Sequence, residues 1–172
     1  PCVAGLIEAG VTRVVSALTD PDDRVSGRGH AMLRGAGISV DVGLFGDEAR
    51  KINEGFLSRV ERKRPFVTLK LAATMDARSA NRSGESQWIT GDAAREHGHL
   101  LRANHDAILV GAKTVLADDP TLTCRLPGRA HQSPVRVILD RRGEVPETAK
   151  LIRTASEVAT WVVTSGAKFA EL

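Results

Sequence analysis

The order of hydrophobic and polar positions early in the chain predicts alternating helices and strands. Residues 3–10 carry hydrophobic side chains at helical spacing, and residues 30–36 form a second short helical run. Residues 11–18 and 38–44 are rich in β-branched side chains, which is typical of buried strands. The succession of strand, helix and strand predicts a βαβ unit with a parallel pair.

The clearest amphipathic pattern covers residues 47–62 and predicts one continuous helix. Acidic residues lie in its first turn and a basic cluster lies in its last turn, as the helix dipole favours. Pro65 ends the pattern, so we place a domain boundary near residue 62. The apolar stripe of this helix consists of Ala49, Ile52, Phe56, Leu57 and Val60.

The remaining pattern predicts a second α/β region. Apolar and polar positions alternate over residues 66–73, which predicts a strand. A long polar loop over residues 74–87 follows. Thr90 is a candidate cap for a helix over residues 92–103. Further along, the pattern predicts strands at residues 107–110, 135–139 and 161–164, a short helix or turn at 113–116, a loop at 124–133 and the start of a helix at 167–169.

Charge and composition narrow the classes of partner. The net charge is +3, and the one dense basic run, residues 59–64, is typical of a solvated helix end. Nucleic-acid binding needs a broader basic face, usually with aromatic residues for stacking. The chain has no Tyr, four Phe and two Trp. We therefore expect no nucleic-acid partner.

Length and cysteine usage indicate the compartment. The 172 residues, 42% of them hydrophobic, suffice for one domain or for one domain plus part of another. No apolar stretch approaches the about 20 residues of a membrane helix, and no secretory signal is evident. Cys2 and Cys124 lie far apart, which fits a reducing environment and no disulfide framework. We expect a cytoplasmic location without membrane association.

Two residues near the predicted loop each have two interpretations. Lys70 lies midway along an apolar strand, where its ammonium either meets a phosphate or reacting carbonyl, or reaches solvent from an edge strand. The spacing favours neither interpretation. Trp88 either lines an aromatic cofactor ring or anchors the loop on the core, which is the commoner role of a single Trp.

Polar residues beside predicted helix and strand ends are further candidates. Arg102 ends a predicted helix, which suits the dipole or a bidentate phosphate contact. Arg125 lies in a loop with no evident structural role. Residues 111–114 follow a strand and suit a phosphate, although they are not a Walker motif. Asp118 and Asp119 precede a proline, and local chemistry favours a turn over a pair of functional carboxylates.

The histidines and cysteines form no group with full metal-ligand spacing. His97 and His99 lie two positions apart on a predicted helix and therefore point in different directions. The simplest interpretation of Cys124 is a small apolar core residue.

Five segments together, in this order, resemble the reductase domain of the bifunctional pyrimidine deaminase–reductases of riboflavin biosynthesis. The resemblance runs from about residue 65 to residue 140 and is most specific at residues 84–90 and 114–125. The segments are Lys-x-Ala-x-x-Met-Asp-x-Arg, Ser-Gly-Glu-Ser-Gln-Trp-Ile-Thr, Leu-Leu-Arg-Ala, Asp-Ala-Ile-Leu-Val-Gly and Thr-Val-Leu-Ala-Asp-Asp-Pro-x-Leu-Thr-x-Arg.

The resemblance implies a fold, a domain order and a set of site residues. Residues 1–62 would be the C-terminal part of a cytidine-deaminase-like α/β domain with a connecting helix. Residues 63–172 would be the N-terminal part of a dihydrofolate-reductase-like domain, a mostly parallel sheet flanked by helices. By this resemblance NADPH would contact Ala72, Trp88, Thr114 and Asp118. The substrate would contact Ser86, Arg102, Leu122 and Arg125, and Lys70 and Asp118 would lie near the reacting carbon.

The upstream part is similar to the later half of the family's deaminase domain. Cys2 would match its last zinc cysteine, and one cysteine cannot hold zinc without ligands that precede it. We therefore expect no deamination by this chain alone. Two segments depart from the family pattern: Asp-Ala-Arg at residues 76–78 replaces Asp-Gly-Arg, and Asp-Pro-Asp-Asp at residues 20–23 replaces Asp-Pro-Asn-Pro. The family's later glycine-rich cofactor segment is absent, so we expect part of the NADPH site and an incomplete sheet.

The resulting hypothesis is NADPH-dependent reduction of the ribosyl group of 5-amino-6-(5-phosphoribosylamino)uracil to a ribitylamino product. Zinc-dependent pyrimidine deamination would belong to the complete N-terminal domain, and the family implies a homodimer or larger homo-oligomer. The alternatives are another dihydrofolate-reductase-like reductase, acting on a pterin, and a nucleotide-binding remnant without turnover.

Overall fold

A computed structural model describes residues 2–86 and 88–165. The chain divides into two compact units, Pro1–Leu69 and Lys70–Leu172. The assignment of residues 1–62 and 63–172 to a deaminase and a reductase domain remains a prediction. Within the described residues, no helix combines the length and the apolar character that crossing a membrane requires.

The first unit contains the predicted βαβ arrangement. Strands β1 and β2 pair in parallel, with Arg13 opposite Ser39 and Ser16 opposite Val42. Leu33 and Ile38 are its buried side chains between the strands and the intervening helix. The elements are α1 (Cys2–Glu8), β1 (Arg13–Ser16), α2 (Arg28–Gly35), β2 (Ser39–Val42), α3 (Gly46–Ile52) and α4 (Glu54–Arg62).

The single helix predicted over residues 47–62 is wrong, because the structure breaks it at Asn53. Asn53 has φ −106° and ψ 17°, which lie outside the helical region. Its side-chain amide donates to the carbonyl of Ala49 at 2.8 Å. The backbone N–H of Asn53 donates to the same carbonyl at 3.2 Å, so the side chain adds a local hydrogen bond at the end of the first helix. Asparagine favours such local bonds where a regular helix ends, and the amphipathic pattern does not reveal them.

The strand predicted over residues 66–73 is also wrong, since these residues have no regular secondary structure. Val67, Leu69 and Leu71 are between 76% and 79% exposed. A strand needs a hydrogen-bonded neighbour, and β-propensity mostly reflects packing against such neighbours. The described strands pair only with one another, so the alternating pattern alone does not produce a strand here.

The second unit is built on a parallel three-stranded sheet in the order β3–β4–β5. The predicted helix over residues 92–103 and the strand over residues 135–139 are confirmed, but Gly91 rather than Thr90 caps the helix. The short helix α7 was not predicted, and the helix start at residues 167–169 lies outside the described residues. The elements are α5 (Asp92–Ala103), β3 (Ala107–Gly111), α6 (Ala112–Asp118), a 3₁₀ helix (Ala130–Gln132), β4 (Val135–Leu139), α7 (Lys150–Arg153) and β5 (Thr160–Val163).

One face of this sheet is covered and the other is open. The covered face contributes Ile138 to a core that α6, α7 and the loop between α6 and β4 complete with Val115, Leu122, Ala149 and Leu151. On the opposite face, side chains of all three strands remain about half exposed or more: Leu109, Leu139, Trp161 and Val163. The expectation of a parallel sheet flanked by helices is met on the covered face.

An arginine lies in the middle of the covered face. The side chain of Arg136 is fully buried. Its Nη1 donates to the carbonyl of Thr121 (3.2 Å) and to Oγ1 of Thr154 (2.9 Å). Its Nη2 donates to the carbonyls of Leu151, Thr154 and Val158 at 2.6–3.1 Å. Arg136 therefore joins β4 to the α6–β4 loop and to the segment after α7.

A buried aspartate ends β4. The Asp140 carboxylate accepts hydrogen bonds from the backbone N–H groups of Glu144 (3.0 Å) and Val145 (2.9 Å). Burial acts to raise the pKa of Asp140, but the hydrogen bonds from the backbone of this turn outweigh it and lower the pKa below its usual value. The ionised carboxylate thus fixes the turn that follows the strand.

We expect Asp140→Asn to lower the free energy of unfolding by about 1–3 kcal/mol near neutral pH, because one amide cannot accept both hydrogen bonds. The folded-state pKa is depressed, so the ionised group stabilises the fold above its unfolded value of about 3.9 and loses this effect as the pH falls below it. Urea unfolding between about pH 7 and pH 3 measures the difference. Asp106→Asn, an exposed carboxylate, is the control. A difference that stays constant down to about pH 3 would contradict the assignment.

Candidate functional site

The carboxyl ends of β3 and β4 meet at one edge of the sheet, where parallel α/β proteins place ligands. A cleft at this edge is lined by residues 111–113, residues 139–142 and Glu144. Lys113, Arg141 and Arg142 give it cationic character. The two carboxylates of the lining, Asp140 and Glu144, offset two of these three positive charges, so a small excess of positive charge remains. The cleft therefore suits an anionic group.

Helix α6 presents two predicted cofactor residues on its exposed side. Thr114 and Asp118 are one turn apart and exposed, while Val115 between them is buried in the core. The next residue, Asp119, is left-handed with φ 38° and its carboxylate accepts the backbone N–H of Lys150 at 2.8 Å. The aspartate pair is therefore divided: Asp119 holds a turn, as local chemistry indicated, and the Asp118 carboxylate remains on the surface.

Two predicted substrate residues converge on a histidine. Arg102 Nη1 lies 3.3 Å from His99 Nδ1 and donates to the carbonyl of Thr123 at 3.0 Å. The backbone N–H of Arg125 lies 3.2 Å from His99 Nδ1, and Arg125 Nε lies 3.3 Å from His99 Nε2. No carboxylate of residues 2–86 or 88–165 forms an ion pair with either arginine. We call His99, Arg102 and Arg125 the arginine–histidine cluster.

The electrostatics of this cluster keep the imidazole neutral. Burial, followed by the charges of Arg102 and Arg125, lowers the pKa of His99, and the carbonyl of Thr123 opposes this. Burial and the charge of Arg125 also lower the pKa of Arg102, although a guanidinium stays protonated. The cluster therefore concentrates positive charge that lacks a protein counter-ion.

Trp88 does not anchor its loop in the core, because its side chain is 70% exposed. The guanidinium of Arg95 lies 4.4 Å from the centre of its ring, a cation–π contact. Arg95 also donates to the carbonyl of Thr90 at 2.7 Å and pairs with Asp92. This arrangement leaves the indole available to a ligand ring.

The other predicted residues are less closely arranged. Lys70 and Ser86 are exposed in irregular segments, and Ala72 is half-buried. Within the described ranges, no hydrogen bond or ion pair joins Lys70 to Asp118. Leu122 is buried in the core with φ 53°, so only its backbone is open to a ligand. The catalytic and binding roles of these residues remain predictions.

The departure at residues 76–78 does not abolish the turn. Ala77 is left-handed with φ 59°, a conformation that costs a non-glycine residue about 1 kcal/mol. The turn is closed by the N–H of Ala77 donating to the carbonyl of Thr74 at 2.9 Å, and by Oγ1 of Thr74 contacting Asp76 at 2.5 Å. The alanine therefore keeps the backbone shape for which the family pattern uses glycine.

Sequence reasoning missed His99, Arg95, Arg141 and Arg142, whereas Lys113 lies in the segment 111–114 that was predicted to suit a phosphate. The signal for the first two was present, because residues 95, 99 and 102 follow the i, i+4, i+7 spacing of one helix face. No comparable signal marked Arg141 and Arg142, since strand pairing alone brings them opposite Lys113. Cys2 begins α1 and is exposed, and Cys124 is buried as expected. Among the described residues, no three His, Cys, Asp or Glu side chains are grouped as a metal site.

A parallel sheet with cationic side chains beyond its strands is typical of α/β proteins that bind phosphorylated ligands. The chain belongs to the family of the RibD C-terminal domain, whose sequence model matches residues 65–171. This confirms the predicted family and fold class.

Relatives extend the likeness to almost the whole chain. The riboflavin biosynthesis protein RibD of Bacillus amyloliquefaciens is 46% identical over 165 residues, which cover 96% of this chain and 44% of the relative. The RibD protein of Aquifex aeolicus is also 46% identical, over 164 residues, covering 95% of this chain and 46% of that protein. The chain spans about half the length of the curated relatives it matches.

Solved structures agree with the sequence comparison. A diaminohydroxyphosphoribosylaminopyrimidine deaminase/5-amino-6-(5-phosphoribosylamino)uracil reductase from Thermotoga maritima superposes with a TM-score of 0.88 at 41% identity, covering 98% of this chain and 47% of that one. Acinetobacter baumannii RibD gives a TM-score of 0.85 at 41% identity, covering 96% of this chain and 47% of that one.

Proposed function

We propose that the complete protein reduces the ribosyl group of 5-amino-6-(5-phosphoribosylamino)uracil with NADPH, giving the ribitylamino product in riboflavin biosynthesis. The observation that carries this proposal is the convergence of Arg102 and Arg125 on His99, within a chain of this family. Two guanidinium groups without a carboxylate partner suit the phosphate of a ribose phosphate. The T. maritima relative carries the name of this reductase.

The chain's own residues fit NADPH. The cofactor is a polyanion with an aromatic ring, and the chain offers a cationic cleft beyond β3 and β4 and an exposed indole at Trp88. We assign its contacts to Ala72, Trp88, Thr114 and Asp118. When bound, NADPH supplies the hydride, and the protein supplies position and charge.

The remaining roles follow from the charges of the side chains. Arg102 and Arg125 hold the substrate phosphate, and Ser86 and the backbone of Leu122 complete the substrate contacts. The Lys70 ammonium binds substrate oxygens. The Asp118 carboxylate stabilises the positive charge of the protonated imine in the opened ribosyl group, which makes the imine carbon a hydride acceptor.

Zinc chemistry is proposed only for the complete N-terminal domain. The described residues do not fit a zinc ion, because Cys2 has no second ligand beside it. Cys2 would contribute one ligand when further ligands are supplied from outside this chain. We further propose a cytoplasmic location and a homodimer or larger homo-oligomer.

The test is NADPH oxidation by the complete protein on addition of 5-amino-6-(5-phosphoribosylamino)uracil. We expect Asp118→Asn to lower kcat on the order of 10²-fold or more, because loss of one charge that stabilises a transition state has this magnitude. The control is Glu96→Gln, an exposed carboxylate of α5.

Two results would contradict the proposal. NADPH binding without oxidation would favour a nucleotide-binding remnant. Oxidation with a pterin but not with the phosphoribosylaminouracil would favour another reductase of the dihydrofolate-reductase type.

A further inference from the structure

The imidazole of His99 has fewer acceptor sites than its neighbours require. Three N–H groups, from Arg102 Nη1, the Arg125 backbone and Arg125 Nε, are directed at its two ring nitrogens at 3.2–3.3 Å. A neutral imidazole has one N–H and one acceptor lone pair. The ring therefore cannot accept from both of its sides at once.

Either tautomer leaves one N–H of Arg125 without an acceptor on the ring. If Nδ1 holds the lone pair, it accepts from Arg102 and from the Arg125 backbone, and Arg125 Nε–H faces Nε2–H. If Nε2 holds the lone pair, it accepts from Arg125 Nε, and the Arg125 backbone N–H faces Nδ1–H. In that second tautomer Arg102 still has the carbonyl of Thr123 at 3.0 Å. An anionic oxygen would satisfy the remaining donor.

Among the described residues, the neighbours of His99 supply one further acceptor, the carbonyl of Thr123, and it accepts from Arg102 rather than from Arg125. The groups that face it are Arg102 on its own helix, and Thr123, Cys124 and Arg125 from the loop after α6. The thiol of Cys124 donates to the backbone carbonyl of His99 at 3.6 Å and leaves the ring nitrogens untouched. A neutral ring between two guanidinium groups avoids adding a third positive charge to the cluster.

We propose that His99 is the positioning residue of a phosphate site. Its ring holds Arg102 and Arg125 at a fixed separation and leaves one N–H of Arg125 directed at the bound anion. The proposal rests on the proposed function, whose substrate carries a ribose phosphate. It adds that the neutral imidazole sets the geometry of the two arginines and that phosphate binding changes the electrostatics of the ring.

The direct test follows the ring of His99 by NMR in the full chain, with His97 as an internal reference. His97 is exposed on the same helix, two positions away. We expect ribose 5-phosphate and inorganic phosphate to raise the pKa of His99, because an anion offsets the two arginine charges, and to leave His97 unchanged. NADPH should not raise the pKa of His99, which distinguishes a substrate phosphate from a cofactor phosphate.

Variants supply the second measurement. We expect His99→Leu to raise the dissociation constant for ribose 5-phosphate about tenfold or more, the effect of losing hydrogen bonds that order charged groups. His99→Gln retains an amide acceptor and donor and should stay within about threefold of the unsubstituted protein. His97→Leu is the matched control and should bind as before. Circular dichroism checks that each variant is folded.

The outcomes separate the two proposals. The inference is overturned if the pKa of His99 does not move with phosphate, or if folded His99→Leu binds ribose 5-phosphate unchanged. Should His99→Leu fail to fold, the titration of the unsubstituted protein and the Gln variant decide. If phosphate moves the His99 resonance while the complete protein does not oxidise NADPH with the substrate, the phosphate site stands and the proposed reductase function falls.

Discussion

Replacing Arg136 with methionine should lower the free energy of unfolding by about 2–6 kcal/mol, because about two buried carbonyls lose their donor. The guanidinium is fully buried and its two terminal nitrogens make five hydrogen bonds. Methionine fills similar space but removes the donor from the carbonyl of Thr121. It also leaves the carbonyls of Leu151 and Val158 to share the single hydroxyl hydrogen of Thr160, so one of them loses its donor. Each buried group left unpaired costs about 1–3 kcal/mol.

Urea unfolding of the chain provides the measurement. Arg141→Met is the matched control, since Arg141 is exposed five residues further along and its loss should change stability by no more than about 0.5 kcal/mol. Arg136→Lys should recover little, because one ammonium cannot reproduce the fixed fork of donors. A methionine variant within about 1 kcal/mol of the parent would show that the network contributes little.

Arg125→Ala should weaken binding of the phosphate-bearing substrate about tenfold to a hundredfold in the complete protein, the range for hydrogen bonds to a charged group. NADPH binding should change little, because we assign its contacts to other side chains. The physical reason is the position of Arg125, which is exposed, has no carboxylate partner among the described residues and lies beside His99 and Arg102.

Titration of substrate and of NADPH measures the two affinities separately. Arg129→Ala removes an equal charge from the same loop, at an exposed position four residues away, and controls for general electrostatic attraction. An equal loss of affinity for substrate and NADPH would remove the assignment of Arg125 to the phosphate. An equal effect of both variants would assign the loss to net charge rather than to a contact.

Two cations midway along apolar segments show how far sequence reasoning reaches. Lys70 in Leu-Lys-Leu and Arg136 in Val-Arg-Val are similar as patterns, and both segments were predicted as strands. The structure leaves Lys70 exposed in an irregular segment and buries Arg136 in β4. The difference lies in the partners: β4 has a strand on each side and carbonyls beneath its arginine, whereas the described residues supply no strand beside residues 66–73.

Those residues of the candidate site that lie within short sequence motifs could be predicted from the sequence. The motifs of residues 83–90, 100–103 and 114–125 identified the family, and Arg102, Arg125, Thr114 and Asp118 came from them. Helical spacing could have identified His99 and Arg95, since these two residues share a helix face with Arg102. No local pattern indicated Arg141 and Arg142, because they lie far from Lys113 in sequence and only the pairing of β3 with β4 brings them to the same cleft.

The sequence by itself determined helix α5, strands β3 and β4, the parallel βαβ unit and the family. Hydrophobic periodicity and short motifs are local properties, so they can be identified in the sequence without knowing which residues pack against them. Only the tertiary structure decided the absence of a strand over residues 66–73, the burial of Arg136 and the meeting of Arg102, His99 and Arg125. These features depend on which distant groups are available to accept or donate a hydrogen bond, and one-dimensional spacing does not contain that information.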